Sequence, residues 1–302
     1  MSTVVYRLAR EQDLSAMRLI QSTALHDLIA REGKDPSTMP ITDQPSPEMR
    51  HLLRTDPALA WIAVEGGRPI GFSAGIVRRE LCFLSDLFVL PEAHRGGIGG
   101  ELLRRCLAAG KSRGARIIAV LSSGDPPAQS LYIRTGMVPR FPLFALKGPA
   151  RELSRLPASR NAITPVAASH TWVRWLGHLD ETIWGRRRDG DHRFWFGEAG
   201  KKCLAIADTS GAVLAYAYYG SGIVGPMAAR SARLQLPLLR AIGDALGGQP
   251  DAAVELRVPG IDATVLNALL EAGLRIDHVG LFMASRPFGR FERYVPSGGT
   301  LL

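Results

Sequence analysis

The sequence predicts an α/β (α+β) chain built from two copies of one fold. Three observations carry that expectation. Strand-like and helix-like apolar periodicities alternate along the chain. Their order in 161–302 replays their order in 1–148, a weak internal repeat longer than about one hundred residues. Between them, around 149–160, the composition shifts to Pro, Gly and charge (KGPARELSRLPASR), which marks a linker. The 302 residues suffice for two ordinary domains, and an apolar content of 46% can fill two cores.

The first copy opens with a short strand at Val4 to Leu8. Asp13 to Leu28 reads as an amphipathic helix, because Leu14, Met17, Ile20, Ala24 and Leu28 recur at spacings of three and four. Lys34 to Pro45 is rich in turn formers and reads as a loop, followed by a helix at Ser46 to Leu53. Two apolar runs flank Glu65-Gly66-Gly67-Arg68, a hairpin signal. Leu81 to Leu90 is a buried strand, Gly99 to Lys111 a helix and Arg116 to Leu121 a strand. Pro127 to Thr135 is a helix ending at Gly136, where a left-handed cap is easiest. Val138 to Leu146 closes the copy with more strand.

The second copy follows the same course. It has a strand at Ile163 to Val166, a helix at His170 to Trp184 and a hairpin in CLAIADTSGAVLAYAYY. A helix at Leu234 to Leu246, a strand at Ala253 to Val258 and a helix at Ala263 to Ala272 before Gly273 complete it.

Charge and cysteine usage narrow the classes. The formal net charge of +9 favours anionic partners without selecting one. Three dispersed cysteines, Cys82, Cys106 and Cys203, argue against a disulfide framework or a zinc site. Neither a signal-like segment nor a membrane-length apolar run is present, so the expectation is a cytoplasmic protein with no membrane partner. The seven histidines lack ligand spacing, so no metal is expected. Arg186-Arg187-Arg188 reads as a solvated face, which argues against nucleic acid. Four of the five tryptophans lie between Trp172 and Trp195 and read as core packing. Nothing in the sequence specifies an oligomer.

The stretch HRGGIGGELLRRC, His94 to Cys106, crowds Gly96, Gly97, Gly99 and Gly100 in front of a helix. Helix N-termini carry unpaired N–H groups and a positive dipole end, and glycines let a phosphate approach them. On glycine count alone, a phosphate cradle and a bare tight turn are both open readings.

The flanking residues add more. Val89-Leu90-Pro91-Glu92 leads into the loop, and Ala128-Gln129-Ser130-Leu131-Tyr132-Ile133-Arg134-Thr135-Gly136-Met137 lies about thirty residues on. This pairing resembles the GNAT superfamily of acyl-CoA-dependent N-acetyltransferases, over about Val4 to Leu146. The resemblance implies GNAT-like domains, each a mixed, mostly antiparallel central sheet flanked by helices. It implies acetyl-CoA as co-substrate, held by Leu87, Phe88, Val89, His94, Arg95, Gly96, Gly97, Ile98, Gly99, Gly100, Ala128, Ser130 and Tyr132. His94 stands where the family has Arg or Gln, and Met137 where it has Phe. The implied reaction moves an acetyl group to a primary amine by direct attack through a tetrahedral intermediate. Tyr132 takes the family's position for protonating the leaving thiolate. A backbone N–H near Val89 or Leu90 matches the family's oxyanion donor. The acceptor is a small-molecule or protein amine.

For the base that deprotonates the amine, the candidates are Asp86 and Glu80, placed on one strand face by their even spacing. An ordinary polar residue on a half-buried sheet is an equally open reading of Asp86.

Two motif matches are set aside. Gly71-Phe72-Ser73-Ala74-Gly75 fits a nucleophile elbow, but the chain continues as strand. Gly110-Lys111-Ser112 lacks the first glycine of a phosphate loop, since Arg105 stands there. In the second copy, Val224 to Arg230 occupies the loop position without the glycine cluster, and Leu269 stands for Tyr132. That half reads as a degenerate copy. The alternative to an enzyme is a non-catalytic CoA-binding or interaction module.

Overall fold

The computed structural model describes residues 3–94, 96–249 and 251–302. The chain divides into two compact units, Met1–Leu121 with Asp125–Val138, and Ser122–Gly124 with Pro139–Leu302.

The first unit follows the order β1 (Val4–Leu8), α1 (Leu14–Arg31), α2 (Pro47–Thr55), β2 (Trp61–Glu65), β3 (Arg68–Arg78), β4 (Leu81–Val89), α3 (Ile98–Ser112), β5 (Ile117–Ser122) and α4 (Pro126–Arg134). Strands β1 to β4 pair in sequence order, all antiparallel, and β4 pairs β5 in parallel. The β2–β3 turn works because Gly66 and Gly67 both take positive φ, 56° and 84°, as a two-residue hairpin loop requires. Ser46 starts α2 by accepting from Met49 N at 3.2 Å, with Pro47 in the first turn. Met17 and Ile20 of α1, Met49 of α2, Ile62 and Phe72 form one buried cluster.

β6 (Val138–Pro149) leads into the second unit. There follow β7 (Ile163–Pro165), α5 (His170–Trp184), α6 (Asp189–Phe196), β8 (Lys202–Ala207), β9 (Val213–Gly220), β10 (Ile223–Ala229), α7 (Gln235–Leu246), β11 (Ala253–Pro259), α8 (Ala263–Ala272), β12 (Arg275–Ala284) and β13 (Tyr294–Val295). Its sheet runs β12-β6-β11-β10-β9-β8-β7, and β13 pairs β10. From β7 to β12 the elements repeat β1 to β6 one for one, with β10 and β11 as the parallel pair.

Three features differ from the sequence reading. First, β6 does not close the first unit's sheet. It lies antiparallel to β11, with Leu143 opposite Pro259 and Pro149 opposite Ala253, and Leu146 enters the second unit's core. Second, the stretch read as linker begins with a 3-10 helix, Ala150–Arg155. Ala150, Leu153 and Leu156 are buried in that same core, and their apolar surface explains why the segment is not solvated. Third, Val224 to Ala229 is strand β10, so the position of the glycine loop falls at 230–234. The Gly-Pro punctuation had masked a strand there, as Gly190 masked helix α6.

Candidate active site

The glycine segment sits where β4 passes into α3. Gly97 is the N-cap residue and has φ 73°, a left-handed conformation that glycine adopts at no steric cost. The first helical acceptor contact is Glu101 N to Gly97 O at 3.1 Å. The N–H groups of Ile98, Gly99 and Gly100 precede it and have no intrahelical acceptor. Gly96 is exposed and Ile98 anchors the turn in the core. Arg95 lies outside the described residues.

Gly99 and Gly100 are not required by the protein's own packing. A Cβ on Gly99 would sit 3.7 Å from Val89 Cγ2, and one on Gly100 3.8 Å from Leu131 Cδ1, both ordinary contacts. Elsewhere in the unit the opposite holds. A Cβ would come within 2.8 Å of Phe83 O at Gly75 and 2.6 Å of Cys82 Sγ at Gly110. Those glycines are packing residues. The residues at the start of α3 therefore fit a pyrophosphate in kind, because N–H groups without an intrahelical acceptor fall at glycines that the protein's own packing does not demand. Glu101 would oppose an anion there. Its carboxylate is held down to about 2 by hydrogen bonds from Arg104, with Arg105 adding to them.

Beside the loop, β4 parts from β5. Their pairing runs from Leu81↔Ile117 to Leu84↔Val120. Just past it, Leu84 faces Gly75 and Asp86 faces Ala74, so Ser85 is an extra residue in a β-bulge. Leu90 N donates to Ile70 O at 2.9 Å, which removes Leu90 as an oxyanion donor. Alternation then points the N–H groups of Leu87 and Val89 away from β3, into the gap that β5 leaves. His94 is exposed, and its Nε2 donates to Val89 O at 3.1 Å. Phe88 packs on Phe72, ring centroids 5.8 Å apart.

The bulge separates the two acid candidates. Cys82 lies against Gly110 of α3, whereas Asp86, beyond the bulge, turns to the opposite face and bonds to Gln21 of α1. Glu80 is not on the strand at all. It is exposed in the β3–β4 turn beside Arg79, at the far end of β4 from the glycine loop. The even-spacing argument fails because the bulge reverses the alternation.

Asp86 is 3% exposed. Its Oδ1 accepts from Gln21 Nε2 at 2.9 Å, and its Oδ2 is buried with no partner among the described residues. Burial raises its pKa to about 7, against the hydrogen bond from Gln21 and the charge of Arg18, with Glu48 adding to the rise.

Tyr132 lies on α4, whose N-cap Asp125 accepts from Ala128 N at 3.3 Å. Ala128 therefore spends its N–H on the cap. Ser130 is exposed and donates back to Pro126 O at 2.8 Å. Tyr132 itself is buried, and its pKa is raised by burial first, then by Asp125 and Asp86. It keeps its proton throughout the neutral range.

Gln21 and Arg18 are the site residues the sequence reading missed. Gln21 falls four residues after Met17, on the helix face that buries Met17 and Ile20. A polar residue on an apolar face was the available signal.

Ser73 lies in mid-strand, buried, and donates to Leu102 O at 3.2 Å. It has no strand-to-helix turn around it. Among the described residues, no group of three or more His, Cys, Asp or Glu side chains could hold a metal ion. No described helix is long and apolar enough to cross a membrane.

Residues 24–137 match the sequence profile of the Acetyltransferase (GNAT) family. That segment, almost all of it in the first unit, carries the family's sequence pattern. The profile covers the loop, β4 and α4, and over the rest of the chain the likeness is one of fold. A protein of Pyrococcus horikoshii assigned to the acetyltransferases shares 16% identity at a TM-score of 0.78, over 99% of this chain and 96% of that one. A GCN5-related N-acetyltransferase from Sphaerobacter thermophilus shares 16% at 0.62, over 96% and 98%. A tandem GNAT protein from the clavulanic acid biosynthesis pathway shares 15% at 0.59, over 95% and 99%. No curated protein matches the chain in sequence. The fold is thus that of a tandem GNAT protein, with a second copy that lacks the glycine loop.

Proposed function

We propose that the first half, 1–148, transfers an acetyl group from acetyl-CoA to a primary amine, and that the second half, 161–302, is a degenerate copy without that chemistry. The observation that carries this reading is the pair of glycines, Gly99 and Gly100, that packing does not demand, set beside the open edge of β4. Acetyl-CoA, when bound, supplies a thioester carbonyl for attack. The α3 N-terminus would hold its pyrophosphate. The N–H groups of Leu87 and Val89 would donate to oxygen charge developing on the carbonyl.

Starting from its ammonium form, the nitrogen loses two protons as its bond to the acetyl carbon forms and the carbon–sulfur bond breaks, one to a base of the protein and the other to the departing sulfur or to water. Asp86 is the acceptor for one, because its free Oδ2 titrates near neutrality. Tyr132 serves the departing thiolate. Its raised pKa favours a donated hydrogen bond over outright proton transfer, since a phenolate would form next to Asp86 and Asp125.

Calorimetric titration with acetyl-CoA should find one site per chain, and thiol release should follow with an amine acceptor. Tyr132→Phe should lower turnover at least tenfold with little change in acetyl-CoA affinity. Binding without any thiol release across a broad amine panel would instead identify a CoA-binding module. No binding at all would remove the transferase reading.

A further inference from the structure

The carboxylate of Asp86 is held by a chain of two residues on α1. Gln21 Nε2 donates to Asp86 Oδ1 at 2.9 Å, and the Gln21 amide oxygen accepts from Arg18 Nη1 at 2.6 Å. Arg18 and Gln21 are three residues apart and share a helix face. A glutamine amide has a donor end and an acceptor end, and a guanidinium can only donate. Arg18 therefore fixes the amide with its oxygen towards Arg18 and its NH2 towards Asp86. Were the amide reversed, two oxygens would face each other and only a protonated Asp86 would tolerate them.

We infer that Gln21, oriented by Arg18, is the positioning residue of Asp86, engaging Oδ1 so that Oδ2 is the single oxygen at which Asp86 exchanges a proton. The geometry stands on its own, while its purpose rests on the acetyl-transfer reading. The groups around Asp86 are few. Arg18 and Gln21 face it from α1, and the charge of Glu48 acts on it from α2. The Tyr132 phenol on α4 feels its charge. On β3 its opposite is the apolar Ala74. Helix α3 lies on the other face of the strand pair, where Ser73 donates to Leu102 O.

The test is the titration of Asp86 in the full chain, followed by carbon NMR of labelled aspartate side chains and assigned with Asp86→Asn. Gln21→Met keeps the volume and removes the donor. A hydrogen bond to a charged group is worth about one to two pKa units, so the Asp86 titration should move up by about that much, ten- to hundredfold in proton affinity. Arg18→Met should shift it in the same direction, and Arg18→Lys should bring it part of the way back towards wild type. Circular dichroism screens for folded variants, and if Gln21→Met does not fold the Arg18 pair carries the test. A titration that stays within about 0.3 units in the folded variants overturns the inference, because the expected shift is several times larger.

Kinetics separate the two readings. If the acid limb of kcat/KM moves with Gln21→Met as the titration does, the positioning role serves catalysis. If turnover is present and its acid limb ignores both residues, the positioning inference fails while the transferase reading stands. If the titration moves but wild-type protein never releases thiol, the inference stands and the transferase reading fails.

Discussion

Asp86 in the first half and Asp180 in the second are both buried carboxylates, 3% and 0% exposed, with opposite surroundings. Asp180 Oδ2 accepts from Arg188 Nε at 2.5 Å and from His192 Nε2 at 3.0 Å, and its Oδ1 accepts from the Tyr216 hydroxyl. Burial pushes its pKa up, but Arg188 and His192 overcome that and hold it below the ordinary carboxylate range. Arg188 in turn lies over Trp195, Trp184 and Tyr294, 4.8 to 5.0 Å from the ring centroids. The arginine run read as a solvated face is thus partly core, with Arg186 and Arg188 both 3% exposed. Asp86 has one neutral partner and a bare oxygen. Equal dryness gives a structural ion network in one half and a titrating acid in the other, and the number of partners decides which.

The helix starts repeat that contrast. α3 begins with open glycines. α7 begins with Gln235, fully buried, whose Nε2 donates to Asp262 Oδ2 at 2.6 Å. Asp262 also caps α8 by accepting from Val265 N at 3.2 Å. Where α3 opens on glycines that packing does not demand, α7 opens on a buried side chain held by a second helix's cap.

The largest expected effect comes from Arg188→Met. It strands a buried charge on Asp180, which costs about 3–5 kcal/mol. Thermal unfolding should fall by on the order of 10 °C. Adding Asp180→Asn should recover part of the loss. A loss under about 1 kcal/mol would mean the network is not what holds that core, and the contrast with Asp86 would collapse.

Asp86→Asn should act in the other direction. The folded pKa of about 7 lies above the unfolded value of ~3.9. Between those values only the unfolded chain gives up the proton, so wild-type stability falls as pH rises from about 4 to 7 and is flat above. The full span is on the order of 4 kcal/mol. The asparagine variant should lack this slope, gain on wild type as pH rises, and lose turnover. Urea unfolding at pH 4, 6 and 8 reads the slope. A parallel pair of curves would mean that Asp86 does not titrate in this window.

A smaller effect divides two glycines of α3. Gly110→Ala should destabilise by roughly 1–3 kcal/mol, because its Cβ meets Cys82 Sγ. Gly99→Ala should cost nothing, or stabilise by up to about 1 kcal/mol, while weakening acetyl-CoA binding about tenfold or more. Equal behaviour of the two in calorimetry would return the glycine segment to a bare turn.

What the sequence made legible follows from what periodicity can carry. Most elements of the first half and the turn at Gly66-Gly67 depend on local spacing and local backbone needs. Which sheet β6 joins does not. Ala145 and Leu146 read as buried strand beside any apolar neighbour, and here that neighbour is β11. The buried arginines were hidden for a similar reason, since a run of three like charges shows nothing of Asp180 and the rings that receive it. The glycine segment ahead of α3 and the helix that carries Tyr132 were legible as elements because short motifs marked them. Gln21 was not, because its partner is 65 residues away.

The smallest expected effect tests the reading of β4 itself. Strict alternation would make Glu80 and Asp86 equivalent. The bulge at Ser85 breaks that equivalence, and it also lies where β4 loses β5, so one extra residue both turns Asp86 towards α1 and leaves the edge at Leu87 and Val89 open. Glu80 stays in an exposed turn on the far side of the bulge. Glu80→Gln should therefore change kcat/KM less than about twofold, within the usual range for an exposed substitution away from the site. A tenfold loss would place the acceptor amine at the opposite end of the strand from the glycine loop and require a different base.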